Sequence, residues 1–106
     1  VSDTEIQKLN KKYRKKNKPT DVLSFSSYES KMPFPHEPNE LGEIIISYPN
    51  AKSQAKKYGH SIQEEILILL IHGLLHLIGY DHETKKEEEK MKKMEQKILQ
   101  ALRTKL

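Results

Sequence analysis

The amino-acid sequence predicts an α+β fold in which a small sheet packs against about four helices. Two short segments, Val22–Phe25 and Gly42–Ser47, are candidate strands, and the second contains consecutive isoleucines. The segment Ile66–Ile78 is apolar on every side, which is typical of a central buried helix, and it carries two histidines. With 106 residues, the chain has the length of a single domain.

The sequence pattern of the N-terminal part predicts one helix followed by one strand. Residues 4–13 have apolar side chains at helical spacing, and Ser2 or Asp3 can cap the start of this helix. The helix ends before Pro19, because the residue before a proline is pushed out of the helical conformation. The first strand, Val22–Phe25, follows at once.

In the middle of the chain, the sequence predicts a loop, a second strand and a second helix. Residues 26–40 are predicted to form the loop, because three prolines alternate there with polar residues. The second strand, Gly42–Ser47, contains consecutive isoleucines, which indicates burial on both faces. The helix is predicted over residues 50–58 and ends at Gly59, a common C-terminal cap.

Two more helices complete the predicted fold. Ser61–Glu64 forms a capping box that opens the third helix, and Gly79 ends this helix. The last helix, predicted over residues 84–104, is amphipathic. Its inward residues are expected to be Met91, Met94, Ile98, Leu99 and Leu102.

Composition excludes several classes of protein and site. The chain has no cysteine, which excludes disulfides, thiolate metal sites and a cysteine nucleophile. Its N-terminus lacks the pattern of a signal peptide, and its longest uncharged run, Ile66–Tyr80, is too short to span a membrane. We therefore expect a cytoplasmic protein with no membrane partner.

Charge is unevenly distributed, although the net charge is only +4. Residues 1–20 carry seven positive and two negative side chains, whereas residues 21–83 carry four positive and nine negative ones. The basic N-terminal segment suggests an anionic partner, with nucleic acid as the obvious candidate. A lysine-rich solvated surface is the alternative interpretation.

Three of the five histidines lie close together in the sequence. His72 and His76 are four residues apart, so both imidazoles leave the same face of a helix. Gly79 can adopt a positive φ and turn the chain, which brings His82 to the same point. Three nitrogens in this arrangement predict a site for one zinc ion, or for another divalent transition metal such as nickel. The alternative is a set of hydrogen-bonded core histidines, whose buried polar groups would then need other partners.

The remaining two histidines, His36 and His60, are expected to be surface residues rather than metal ligands.

The spacing of the histidines and the glycine equals that of the metzincin proteases, H-E-x-x-H-x-x-G-x-x-H. Gly73 stands where those proteases have the glutamate that acts as general base, so the ligand set is retained without that base. Three protein ligands leave a position for a metal-bound water, whose pKa the ion would lower to about 7. Asp81 is a candidate base or hydrogen-bond partner of a ligand, or else a surface aspartate that caps the next helix.

The sequence resembles the YbeY family of bacterial metal-dependent endoribonucleases, which act in rRNA maturation. The resemblance rests on the motif His72-Gly73-x-x-His76-Leu77-x-Gly79-Tyr80-Asp81-His82. Three further segments support it in the family's order: Tyr13-Arg14, Lys18–Phe25 and Leu41–Ile44.

Three features depart from the family's pattern. Ser26 stands where the family usually has proline, and Glu43 where it usually has aspartate. The family also has a strand and a helix upstream of the part that matches Val1, and we expect this chain to lack them.

The resemblance implies that His72, His76 and His82 bind one zinc-like ion and that Arg14 is the functional arginine of the active-site cleft. A guanidinium can clamp a phosphate and stabilise charge on a pentacoordinate phosphorus. Without the resemblance, the sequence would favour the interpretation that Arg14 is one more cation in a lysine-rich segment. The expected substrate-binding residues are Arg14, Lys15, Lys16 and Lys18.

Together with the resemblance, these features predict one domain, residues 1–106, that is a single-strand-specific metal-dependent endoribonuclease in rRNA maturation and ribosome quality control. The expected partners are single-stranded RNA, above all an rRNA precursor, and the ribosome or its proteins. Single strands are favoured because a duplex hides the bases and stiffens the backbone. Two alternatives stay open: a zinc-dependent peptidase-like hydrolase, and a non-catalytic, metal-stabilised module associated with the ribosome.

Overall fold

A computed structural model describes residues 1–27 and 40–103, which form four α-helices and a two-stranded sheet. The elements are, in chain order, α1 (Asp3–Arg14), β1 (Val22–Ser26), β2 (Gly42–Ile46), α2 (Tyr48–Tyr58), α3 (Ile62–Leu77) and α4 (Lys85–Arg103). The predicted α+β class is confirmed, and the predicted element bounds differ from these by at most two residues. Residues 28–39, which include most of the predicted loop and His36, lie outside the described residues.

The sheet lies between two helices. β1 and β2 pair antiparallel, with Ser24 opposite Ile44 at the centre of the ladder. One face of the sheet packs against α1. The apolar cluster on this face is formed by Ile6, Leu23, Phe25 and Ile45. Ile44 lies on the opposite face of the sheet, where its side chain packs against Gly73 of α3. The alternation of side chains along β2 therefore places α1 and α3 on opposite faces of the sheet.

A second apolar cluster joins α3 to α4. Ile71 and Leu75 of α3 pack against Met91 of α4, and all three are buried. The other residues predicted to face inward on α4 border this cluster: Met94, Ile98, Leu99 and Leu102. The predicted orientation of α4 is thus confirmed.

Burial is less complete than the apolar sequences indicate. Ile45 of β2 is buried, whereas Ile44 and Ile46 are only half-buried. On α3, Leu70 is 44% exposed, because the sheet, α2 and α4 cover other sides of this helix. Among the described residues, α3 is thus the central helix of the fold, with its Leu70 side left partly open to solvent. Within the same residues, no helix combines the length and the apolar character that a bilayer-spanning segment needs.

Most helix ends follow the predicted signals. The Ser61 hydroxyl accepts a hydrogen bond from the backbone N–H of Glu64 at 3.1 Å and caps α3. Gly59, with φ 73°, ends α2 in the left-handed conformation. α1 also ends in a left-handed residue, Lys15, whose φ is 60°. This unusual conformation for a lysine turns the chain toward β1.

Candidate metal centre

Three histidines from α3 and the segment after it meet at one point. The Nε2 atoms of His72 and His76 lie 3.2 Å apart, one helical turn from each other on α3. The candidate donor atoms of His72, His76 and His82 all lie within 4.8 Å of one another. Two ligands of a tetrahedral zinc ion, each bonded at about 2.0–2.1 Å, stand about 3.3 Å apart. The spacing of His72 and His76 matches this value, and the three histidines together form a group that could hold a single divalent transition-metal ion.

A specific turn at the end of α3 brings His82 to this point. The backbone N–H of Gly79 donates to the carbonyl of His76 at 3.1 Å, and that of Tyr80 donates to the carbonyl of Leu75 at 2.9 Å. These two bonds, with φ 106° at Gly79, form a Schellman motif. The predicted positive φ at Gly79 is therefore present. Among the described residues, a Cβ atom at Gly79 would have no neighbour within 4 Å, so the preference for glycine comes from the backbone conformation.

Burial favours the neutral form of the central histidine. Burial lowers the pKa of His76 below its ordinary value of 6.5, and repulsion from His72 and His82 lowers it further. The Asp81 carboxylate acts in the opposite direction with a smaller effect. A neutral imidazole keeps the lone pair that binds a metal ion. Folding thus favours the protonation state that a ligand requires.

Asp81 lies beside the centre but does not cap the next helix. Its Oδ1 atom accepts a hydrogen bond from the backbone N–H of His82 at 2.7 Å. The Thr84 hydroxyl accepts from the backbone N–H of Glu87 at 3.1 Å and performs the capping of α4. The helix-cap alternative for Asp81 is therefore wrong, and its carboxylate instead fixes the backbone at a candidate ligand.

The packing of α3 on the sheet explains why residue 73 is a glycine. A Cβ atom at Gly73 would lie 2.9 Å from Cγ2 of Ile44, closer than such atoms approach in proteins. A glutamate at this position would require the Ile44 side chain of β2 to move. The missing metzincin glutamate is thus linked to the close contact between the histidine-bearing helix and the sheet.

The three histidines open into a cleft of about 620 Å³ that also reaches Arg14. The Arg14 Nη2 atom donates to the carbonyl of Ser24 at 2.6 Å. Its guanidinium lies 4.4 Å from the centre of the Phe25 ring, within the range of a cation–π contact. Strand β1 therefore fixes the plane of the guanidinium at the cleft wall.

The predicted substrate-binding lysines separate into two groups. Lys16 and Lys18 line the cleft, whereas Lys15 is not part of its lining. Buried Asn10 holds this segment in place: its carbonyl accepts from the backbone N–H of Lys16 at 3.3 Å, and its Nδ2 donates to the carbonyl of Lys18 at 2.9 Å. The left-handed turn at Lys15 directs the next residues toward the cleft.

Two acidic residues were not predicted to matter, and each contacts a histidine. The Glu95 Oε1 atom lies 2.6 Å from Nδ1 of His72. A carboxylate among the inward-facing residues of α4 is the sequence signal that could have found it. Glu65, which is 3% exposed, pairs with Nε2 of His60. His60 lies apart from the histidine cluster, as predicted, but it is half-buried rather than a surface residue.

Comparison with known proteins gives consistent matches along the chain. A sequence profile described as endoribonuclease YbeY matches residues 1–103. An endoribonuclease YbeY of Halalkalibacterium halodurans is 49% identical over 107 residues, which cover 95% of this chain and 67% of that protein. One from Aquifex aeolicus is 47% identical over 103 residues, which cover 96% and 66% respectively. The chain thus spans about two thirds of the length of these relatives.

A solved structure gives the same picture of the fold. The solution structure of a Thermotoga maritima protein is 34% identical and has a TM-score of 0.54 to this chain. The match covers 99% of this chain and 68% of that protein. The resemblance carried by the histidine motif is confirmed, and the chain belongs to the endoribonuclease YbeY family.

Proposed function

We propose that this chain, as one domain over residues 1–106, is a metal-dependent endoribonuclease that cuts single-stranded RNA during the maturation and quality control of rRNA. The observation that carries the proposal is the shared cleft: the three-histidine centre and Arg14 line the same cavity of about 620 Å³. A phosphodiester in this cleft would share one cavity with the metal centre and the Arg14 guanidinium. Family membership supports RNA as the substrate.

His72, His76 and His82 would hold the ion, since their donor atoms lie within 4.8 Å of one another. Three neutral nitrogens suit zinc, and nickel or another late transition metal would also bind. When bound, such an ion supplies a Lewis acid at the reacting phosphate and lowers the pKa of water in its remaining position. The Schellman turn at Gly79 and the lowered pKa of His76 both prepare the chain for this role.

Arg14 would bind and orient the phosphate from the wall of the same cleft. Its guanidinium is held by the carbonyl of Ser24 and by the ring of Phe25, so little reorganisation is needed when the substrate enters. A planar guanidinium can bind two phosphate oxygens at once and can offset the charge that develops on phosphorus. This preorganised contact is the main contribution of the chain's own residues to catalysis.

Lys16 and Lys18 would contact neighbouring phosphates of the strand, because both line the cleft. Lys15, which was grouped with them by sequence, would contribute only through the general positive field. Asp81 would support the centre through the backbone of His82, to which its carboxylate is bonded at 2.7 Å. A single strand can bend to follow these contacts, whereas the backbone of an RNA duplex is stiff.

An rRNA precursor as substrate also implies a cytoplasmic location and contact with the ribosome or its proteins. The family name supports RNA cleavage, and the ribosomal context comes from the resemblance described above.

The test is cleavage of one labelled RNA sequence as a single strand and within a duplex, beside an unstructured peptide, with zinc and with a chelator. We expect cleavage of the single strand alone and its loss with the chelator. Cleavage of the peptide but not the RNA would favour the peptidase-like alternative. Bound zinc with no cleavage of either substrate would favour the non-catalytic module.

A further inference from the structure

We propose that Glu95 is a positioning residue of the metal centre, and that its carboxylate holds His72 with Nε2 directed toward His76 and His82. The inference rests on the proposed function, since it concerns the same centre. It adds a residue from α4 to a site that the sequence assigns to α3 and the segment after it.

The geometry fixes which ring nitrogen faces the centre. A carboxylate accepts hydrogen bonds but does not donate them, so the 2.6 Å contact places the ring proton of His72 on Nδ1. Nε2 then carries the lone pair, and this atom lies 3.2 Å from Nε2 of His76. Without Glu95, either tautomer of His72 would be available, and only one of them binds metal through Nε2.

Packing holds Glu95 in this position. Met91, one turn earlier on α4, is buried against Ile71 and Leu75 of α3. Ile98, three residues later, borders the same cluster. Glu95 thus lies on the inward face of α4, and three quarters of its side chain is removed from solvent.

A carboxylate on an inward helix face needs a partner to offset the loss of hydration. Among the described residues, His72 is the partner that the structure gives Glu95. Lys92, three residues before Glu95 on α4, instead pairs with Glu88 at 3.2 Å. Within residues 1–27 and 40–103, Glu95 is therefore not part of a surface ion-pair network. Its position is explained by the histidine that it orients.

The experiment compares Glu95→Gln and Glu95→Ala with Glu89→Gln, which changes an exposed glutamate on the same helix. Zinc affinity is measured by competition with a chromophoric chelator, and the tautomer of His72 by ¹⁵N NMR of the metal-free protein. Outer partners of metal-bound histidines typically contribute 10–100-fold to metal affinity. We expect a loss in this range for Glu95→Ala and less than twofold for Glu89→Gln. Glu95→Gln should show a smaller loss than Glu95→Ala, because its amide can accept from one tautomer of His72 but can also donate to the other.

The NMR signature separates positioning from a structural role. We expect both Glu95 variants to show His72 as a mixture of tautomers, which general destabilisation would not produce. If Glu95→Ala fails to fold, Glu95→Gln decides the matter. Parental zinc affinity and an unchanged His72 tautomer in the Gln variant would overturn the inference. Failure of the parent to bind zinc would instead remove the metal centre of the proposed function.

Discussion

Replacement of Arg14 by lysine is the sharpest single test of the proposed chemistry, because it keeps the charge and removes the planar fork. In the structure, the guanidinium donates to the Ser24 carbonyl at 2.6 Å and lies 4.4 Å from the centre of the Phe25 ring. A lysine ammonium cannot adopt this plane. It would reach the cleft as a mobile point charge and could not bind two phosphate oxygens in a fixed geometry.

The expected loss of folding free energy in this variant is much smaller than the expected loss of transition-state stabilisation. The lost cation–π contact of a partly exposed arginine costs about 0.5–1 kcal/mol of folding free energy. The loss of a preorganised donor to the transition state costs about 2.7–4 kcal/mol, or roughly 100–1000-fold in rate. We therefore expect Arg14→Lys and Arg14→Ala to remain folded, to keep their zinc affinity and to lose most RNA cleavage.

The assay is single-turnover cleavage of a labelled single-stranded RNA at saturating enzyme, beside a zinc titration and thermal unfolding of each variant. Lys15→Ala and Lys16→Ala are the controls for the general positive field. Each should leave cleavage of bound RNA nearly intact, and Lys16→Ala should weaken binding more, since only Lys16 lines the cleft. Full activity in Arg14→Lys would refute the role of the planar fork. Equal losses in the three alanine variants would favour a general basic surface.

Three further outcomes follow from the centre and its surroundings. Gly79→Val should lower zinc affinity in a direct titration although all three histidines remain, because a β-branched residue resists φ 106°; parental affinity would contradict the turn. Because the folded state lowers the pKa of His76, the unfolded chain binds its proton more readily. The stability of the metal-free protein should therefore fall as pH drops through 6.5 toward the lowered pKa, and zinc occupancy should fall with it. Constant occupancy between about pH 7.5 and 5 would count against the site. Gly73→Glu should lower the melting temperature and produce no peptidase activity, because Ile44 occupies the space that the side chain needs.

The sequence was informative wherever a local rule determines the outcome. Histidines four residues apart share a helix face whatever the rest of the chain does. A glycine just after a helix allows the Schellman turn, so the place of His82 followed from Gly79. The inward residues of α4 followed from helical periodicity for the same reason.

The features that could not be predicted from the sequence depend on contacts between segments that are distant along the chain. Glu95 reaches His72 from 23 residues away, and only the packing of α4 on α3 shows this contact. The division between Lys15 and Lys16 depends on a left-handed lysine, which no residue preference predicts. The reason for Gly73 lies in Ile44 on a strand that precedes it by almost thirty residues.

The central claim is that three histidines hold one catalytic ion, and metal analysis tests it most directly. The parent and His76→Ala are purified side by side without added metal, and the bound transition metal is measured per chain. We predict about one ion per chain in the parent, chiefly zinc or a related divalent metal, and almost none in His76→Ala, which loses the ligand at the centre of the cluster. Equal metal content in the two proteins, or none in the parent, would contradict the claim.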